Sequence, residues 1–324
     1  MPTDSLGFIP RRDACARSHE LCFLIWRSAL TALRMAAGLD SNESFGVSAL
    51  SDAFLINNFE TERIVMERRM SSMTQMEIAK IISERRPVIL PTGATEAHGP
   101  HMPTDTDTHQ AEYIALRLAD RINALVAPPV AYGISKTFEF FPGTISLSIP
   151  TYLTMVFEIG AALIKQGFHH LIILNGNRPS GTANDQVARH LVDELDKDFD
   201  FIVSAVSYWE PAAAKIHTMR KSVAGGMGHG CELETAFQLA TRPELVKMNE
   251  LAGAKYGPVG WDLVAPSNPT RTYMRRPRPA AGHAAIFGDP TKATAETGKA
   301  FVDAAVEGLV ETFENLQGSY QERR

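Results

Sequence analysis

With 324 residues, 44% of them hydrophobic and 21% charged, the chain has the composition of an ordinary globular protein with enough apolar material for a sizeable core. The formal net charge of −5 and the lack of a basic stripe exclude a nucleic-acid surface, which needs clustered lysine and arginine to displace phosphate counterions. The three cysteines, Cys15, Cys22 and Cys231, are an odd and scattered set. They exclude a disulfide framework and point to a reducing, cytoplasmic setting with small-molecule partners, no nucleic acid and no membrane.

In chain order, the apolar run at 20–39 is interrupted by Arg27 and Arg34, so it reads as an amphipathic helix rather than a signal peptide or membrane span. The polar, turn-rich stretch at 37–54 reads as a linker. Residues 1–65 are therefore expected to be an extension, partly helical or disordered, and 66–320 the main folded domain. Met66, Met70, Met73 and Met76 are alternative starts for it.

From there helical and strand patterns alternate. Helical spacing covers 74–85, and a β-branched run at 87–93 ends in turn residues. A helical period returns at 107–122, a strand-like run follows at 124–133, and another helix at 151–167. The clearest buried strand is 169–177, followed by a helix at 182–197 and a strand at 201–209. This alternation predicts a three-layer α/β/α sandwich around a mostly parallel central sheet, with ligand sites at the carboxyl ends of the strands.

Chemistry concentrates in "LPTGATEAHGPHMPTDTDTHQ", 90–110, which holds His98, His101, His109, Glu96, Asp105 and Asp107 without a lysine or arginine. Glu96 and His98 are two apart, so an extended segment points both to one side, and Gly99-Pro100 can turn the chain back toward them. Crowded carboxylates and imidazoles are most cheaply neutralised by a divalent cation. A mixed His, Asp and Glu set favours zinc, with manganese or iron also compatible. The alternative is a polar loop whose acids sit in water. His109 and Asp105 read as structural or solvated, and His101 as a donor that orients a ligand.

"PTGATEAHGPHMPTDTD" resembles the signature of the creatininase family of metal-dependent amidohydrolases, as do "YGISKTFEFFPGTISL", "GHGCELET" and "FGDPTKATAETGKAF" further along. The resemblance implies metal ligands at Glu96, His98 and Asp107, with one or two ions per chain. It implies a creatininase-like fold and a homo-oligomer, commonly a hexamer. His229 is then the candidate proton donor to the leaving group, and Glu232 or Glu234 the handler of the water's proton. Ser135, Asn177 and Arg178 are candidate substrate-binding residues. The chain departs from the family where "NGNRPSG" stands in place of "NGHGGN", with Asn177 at a ligand histidine and Pro179 at a position that is glutamate in creatininase itself. The implied function is hydrolysis of a small cyclic or linear amide, or a related polar ring compound, by metal-activated water. The alternative is a degenerate member that binds a ligand or partner without catalysis.

Overall fold

The computed structural model describes residues 68–259, 262–264 and 282–321. The expected extension at 1–65, its amphipathic helix and the Met66 start lie outside the described residues. Four parallel strands form the central sheet: β1 (Val88–Thr92), β2 (Leu125–Val126), β3 (His170–Asn175) and β4 (Ile202–Ser207), in the order β2-β1-β3-β4. Around them run α1 (Gln75–Ser83), α2 (Thr106–Ile122), α3 (Ile149–Lys165), α4 (Arg178–Leu195), α5 (Ala213–Met219), α6 (Glu232–Thr241) and α7 (Ala295–Gln321).

Strand alternation divides the core in two. Ile89, Ile172 and Leu174 face α2, α6 and α7, through Ile114, Phe237, Phe301 and Leu309. Val88, Leu90, Leu171 and Ile173 face α1, α3 and α4, through Ile81, Val156 and Leu191. Apolar residues on both strand faces are what a parallel sheet covered on each side requires, so the α/β/α expectation holds.

Three details differ from the sequence pattern. The strand-like stretch at 124–133 gives only the two-residue β2, because Pro128 and Pro129 carry no amide donor for the ladder. Val130 then regains a single bridge to Thr92. Helix α4 starts at Arg178, upstream of the expected 182, because Asn177 caps it through Ser180 N and Pro179 occupies its first turn. A second, small sheet joins β5 (Met227–His229), β6 (Lys255–Gly257) and β7 (His283–Gly288) in the order β5-β7-β6. Strands of three residues are too short for their period to show.

At the carboxyl ends of the central strands, Thr92, Asn175 and Ser207 stand in one row. Asn175 Nδ2 donates to Ser207 Oγ (3.2 Å) and to the Asn177 carbonyl (2.8 Å). Asn184 Nδ2 donates to Thr92 Oγ1 (2.9 Å), and Tyr152 OH to Asn184 Oδ1 (2.8 Å). This buried network fixes the loops that leave β1 and β3. A Cβ at Gly176 would lie 2.4 Å from the Asp107 carbonyl, so only glycine lets the start of α2 sit against the end of β3.

Candidate metal centre

Five side chains meet above that row. Glu96 and His98 come from the loop after β1, where Glu96 N donates to the Thr104 carbonyl (2.9 Å) and Gly99, at φ +74, turns the chain back toward α2. Asp107 lies in the first turn of α2, Glu234 in the first turn of α6, and His229 at the end of β5. Two of the three carboxylates thus sit at helix N-termini, where unpaired amides and the helix dipole favour negative charge. All five side chains are buried, His98 and Glu96 almost completely.

The hydrogen bonds of the two imidazoles decide what their free nitrogens can do. His98 Nδ1 lies 3.0 Å from the Glu96 carbonyl, and His229 Nε2 lies 2.8 Å from the Ala97 carbonyl. A carbonyl only accepts, so each of these nitrogens carries the proton. The opposite nitrogens face carboxylates: His98 Nε2 is 2.9 Å from Asp107 Oδ1 and 3.9 Å from Glu234 Oε2, and His229 Nδ1 is 3.3 Å from Glu96 Oε1. His98 Nε2 and Glu96 Oε2 have no aligned hydrogen-bond partner. A buried lone pair against a carboxylate is repulsive unless a proton or a cation lies between them.

Titration follows from the same crowding. Burial, reinforced by Asp107, pushes the Glu96 carboxyl well above the carboxylate range. Burial alone would pull His98 down, but Asp107, Glu234 and Glu96 hold its imidazolium up to about 10. His229 is driven well below the ordinary imidazole value by burial and then by the charge on His98. Burial raises Glu234 to about 7 against the opposing pull of His98. Without a cation, protons must occupy the places where carboxylate oxygens and ring nitrogens converge.

The donor atoms of Glu96, His98 and His229 all lie within 4.8 Å of one another, as do those of His98, Asp107 and Glu234. Both groups use His98, whose Nε2 has a single lone pair, so one ion can take it. The residues fit a divalent cation: carboxylate and imidazole donors, ring orientation fixed by backbone carbonyls, and, among the described residues, no lysine or arginine paired with the cluster.

The remaining sequence candidates fall elsewhere. The Glu232 carboxylate accepts from Lys221 N (2.8 Å) and Ser222 N (2.7 Å), so it anchors the loop before β5 instead of joining the cluster. Asn177 is spent at both ends of its amide: Nδ2 donates to Asp107 Oδ2 (2.9 Å), and Oδ1 accepts from Ser180 N (3.2 Å) and Ser180 Oγ (2.6 Å). Its oxygen is committed to Ser180 and one of its N–H groups clamps the Asp107 carboxylate. Arg178 is exposed in the first turn of α4, with Glu210 as a counter-charge. Ser135 is buried beside Glu96, its hydroxyl without an aligned partner. Asp105 pairs with Arg242 (2.8 and 2.9 Å), His109 bonds Thr241 Oγ1 (3.0 Å) and His101 bonds Thr235 Oγ1 (2.9 Å), so none of the three enters the cluster.

Sequence reasoning missed Phe138. Its ring stacks on His229 (centroids 4.0 Å, 18°), which in turn packs on His98 (4.2 Å, 37°). Nothing local marks it, since its partner lies far along the chain.

Comparison with known proteins gives this geometry a lineage. A family model described as "Creatininase: Creatinine amidohydrolase" matches residues 71–313. The mycofactocin precursor peptide peptidase of Mycobacterium ulcerans is 29% identical over 233 residues, covering 69% of this chain and 82% of that protein. Creatinine amidohydrolase of Pseudomonas putida is 29% identical over 240 residues, covering 69% and 87%. The 3-dehydro-scyllo-inosose hydrolase of Thermotoga maritima is 25% identical over 272 residues, covering 78% and 83%. Among solved structures, a manganese creatininase superposes with a TM-score of 0.66 at 24% identity, covering 76% of this chain and 98% of that one. A mutant creatininase of Zn-Zn type gives 0.63 at 25% identity, covering 76% and 97%. Since the match spans most of the sequence and the fold is shared with these structures, the chain belongs to the creatininase family of metal-dependent amidohydrolases.

Proposed function

We propose that this protein hydrolyses a C–N bond in a small cyclic or linear amide, with one divalent cation held by Glu96, His98, Asp107, His229 and Glu234. The observation that carries this reading is the pair of buried imidazoles, each with one nitrogen committed to a backbone carbonyl and the other facing a carboxylate. Zinc is the preferred ion, with manganese and iron as alternatives, on the chemistry of the donor set and on the Mn and Zn-Zn creatininases among the structural neighbours. One ion is favoured over two because the Asn177 side-chain oxygen already accepts two hydrogen bonds and Pro179 has no donor atom.

When bound, such a cation polarises a carbonyl and makes water acidic enough to attack near neutral pH. The chain's own residues do the rest. Glu234 exchanges a proton at Oε2, where Gly230 N–H (2.5 Å) steadies its charged form. His229 serves as a ligand, because its Nε2–H is committed to Ala97 and its Nδ1 looks into the cluster. Ser135 offers a hydroxyl to the substrate from beside Glu96, and the nearly complete burial of the cluster excludes bulk water. We place the enzyme in the cytoplasm as a homo-oligomer. Its setting among a peptide peptidase, a creatinine amidohydrolase and an inosose hydrolase supports a small polar substrate. Among the described residues no helix is long and apolar enough to cross a membrane.

Elemental analysis joined to a screen of lactams, formamides and cyclic ketones tests this. About one tightly bound ion per chain, lost in Asp107→Ala, and turnover abolished in Glu96→Gln support it. A chain with no tightly bound ion, or turnover untouched by Glu96→Gln, overturns it. The binding-only alternative draws on Asn177 in place of a family histidine, and it predicts an intact ligand site without turnover of any amide.

A further inference from the structure

A cleft of about 470 Å³ opens beside the cluster, with Ala97, Pro100, Phe141, Glu250, His283 and Ala285 among its walls. Its position next to the candidate centre follows from a continuous run of rings. His283 packs on Phe287 (4.9 Å), Phe287 on Phe138 (5.6 Å), and Phe138 on His229 (4.0 Å). Ala97, which lines the cleft, is also the residue whose carbonyl holds His229 Nε2.

One side chain in this cleft is set in a particular way. Ala285 N donates to His283 Nδ1 (3.1 Å), so Nδ1 is the acceptor and Nε2 carries the proton. This bond is made by a buried alanine at φ +54, a left-handed conformation that is strained for any non-glycine residue. Burial lowers the pKa of His283, so the ring is neutral near pH 7. Glu250, exposed at the same cleft, opposes an anion there.

We propose that His283 is a specificity-determining residue whose Nε2–H reads a neutral carbonyl or hydroxyl oxygen of the substrate in this cleft. The proposal deepens the hydrolase reading and rests on it for the direction of substrate entry. It restricts the substrate class to molecules with a second, uncharged hydrogen-bond acceptor beyond the scissile bond.

The test uses the full chain loaded with zinc and 5-oxopyrrolidine-2-carboxamide, a neutral lactam with a second carbonyl beyond its ring amide, as the probe, with dissociation constants from ligand-observed NMR and ion content from elemental analysis. His283→Phe, which keeps a ring but loses the donor, is expected to weaken lactam binding about tenfold, the loss of one useful hydrogen bond. His283→Gln restores an N–H donor and is expected to stay within about threefold of the parent. Ion content is expected to be the same in all three. Lactam binding by His283→Phe equal to the parent overturns the proposal, as does a parent chain that binds no lactam. Less than about one ion per chain with His283-dependent binding retained overturns the hydrolase reading and leaves the subsite standing.

Discussion

Asn177 and Asp107 are joined by a 2.9 Å hydrogen bond from the amide Nδ2 to Oδ2, while the other end of the same amide caps helix α4. A single side chain therefore orients a candidate ligand and starts a helix. Asn177→Ala is expected to cost about 1 kcal/mol of stability through the lost cap. It is also expected to weaken metal affinity about 10- to 100-fold through the freed carboxylate. Thermal unfolding of the metal-free chain and chelator competition read the two effects separately. An unchanged affinity would detach Asn177 from the centre.

Glu232 and Glu234 make a matched pair for mutation. Glu232→Gln loses the charge that accepts two loop amides, at a cost of about 1 to 3 kcal/mol, and is expected to keep its full ion content. Glu234→Gln is expected to lose ion affinity and turnover with a smaller change in stability. Denaturant unfolding set beside elemental analysis checks the assignment, and the reverse pattern would exchange the two roles.

Proton release is a second handle on the centre. Before a cation binds, His98, at about 10, is an imidazolium, and burial with Asp107 favours the protonated form of Glu96. A cation must displace the His98 proton and any proton held by Glu96 or Glu234, so zinc binding at pH 7 is expected to release at least about one proton per ion. Titration calorimetry in buffers of different ionisation enthalpy measures this number. Apparent affinity is expected to rise with pH through about 7, as Glu234 also gives up its proton. A release of zero would place the ion elsewhere.

Acid sensitivity has a separate source. Burial lowers His170 to about 4, with His169 adding to the shift, and His109 is lowered to about 4 by burial and by Arg242. Their folded pKa values lie below the unfolded 6.5 or so, so between about 4 and 6.5 the unfolded chain binds more protons. Stability is therefore fully present above about 6.5 and is lost as pH falls through that window, by up to about 1.4 kcal/mol per pH unit for each histidine. His170→Gln is expected to flatten the slope of unfolding free energy against pH. An equally steep slope in the variant would mean that His170 does not drive it.

Phe138 is expected to matter to the centre through packing. Phe138→Ala leaves a hole beside His229 and should cost about 3 to 5 kcal/mol, whereas Phe138→Leu should cost much less. In both variants, release of the ion to a chelator should be faster, since a ring that covers His229 is gone. Stopped-flow chelation of zinc measures the rate, and a rate equal to that of the parent would make Phe138 a core residue alone.

Much of this arrangement was legible in the sequence, for reasons that differ from residue to residue. Strands β1 and β3 and helix α2 carry long, clean hydrophobic patterns, and these override local ambiguity. Glu96, His98 and Asp107 were legible because they lie close together in sequence and share a loop and a helix start. The choice between Glu232 and Glu234 was not. Two residues apart on a helix lie about 200° apart, so only one of them can face the centre, and the pattern does not say which. Asn177 was misleading because the same residue type suits a ligand, a substrate contact and a helix cap, and the choice depends on Asp107 and Ser180 together. Strand β2 was overestimated because the effect of Pro128 and Pro129 on the ladder outweighs the apolar run around them.

The five donors come from segments at either end of the folded unit: the loop and helix after the first strand, and a strand and helix that precede the last. None of these segments brings together the full set alone, so a bound ion is a tie between early and late parts of the chain. An ion gripped only by the native state adds roughly 4 kcal/mol to it at a free concentration a thousand times its dissociation constant. On the proposed reading the centre doubles as a fastener, and starving the protein of metal is expected to loosen the whole sandwich along with its chemistry.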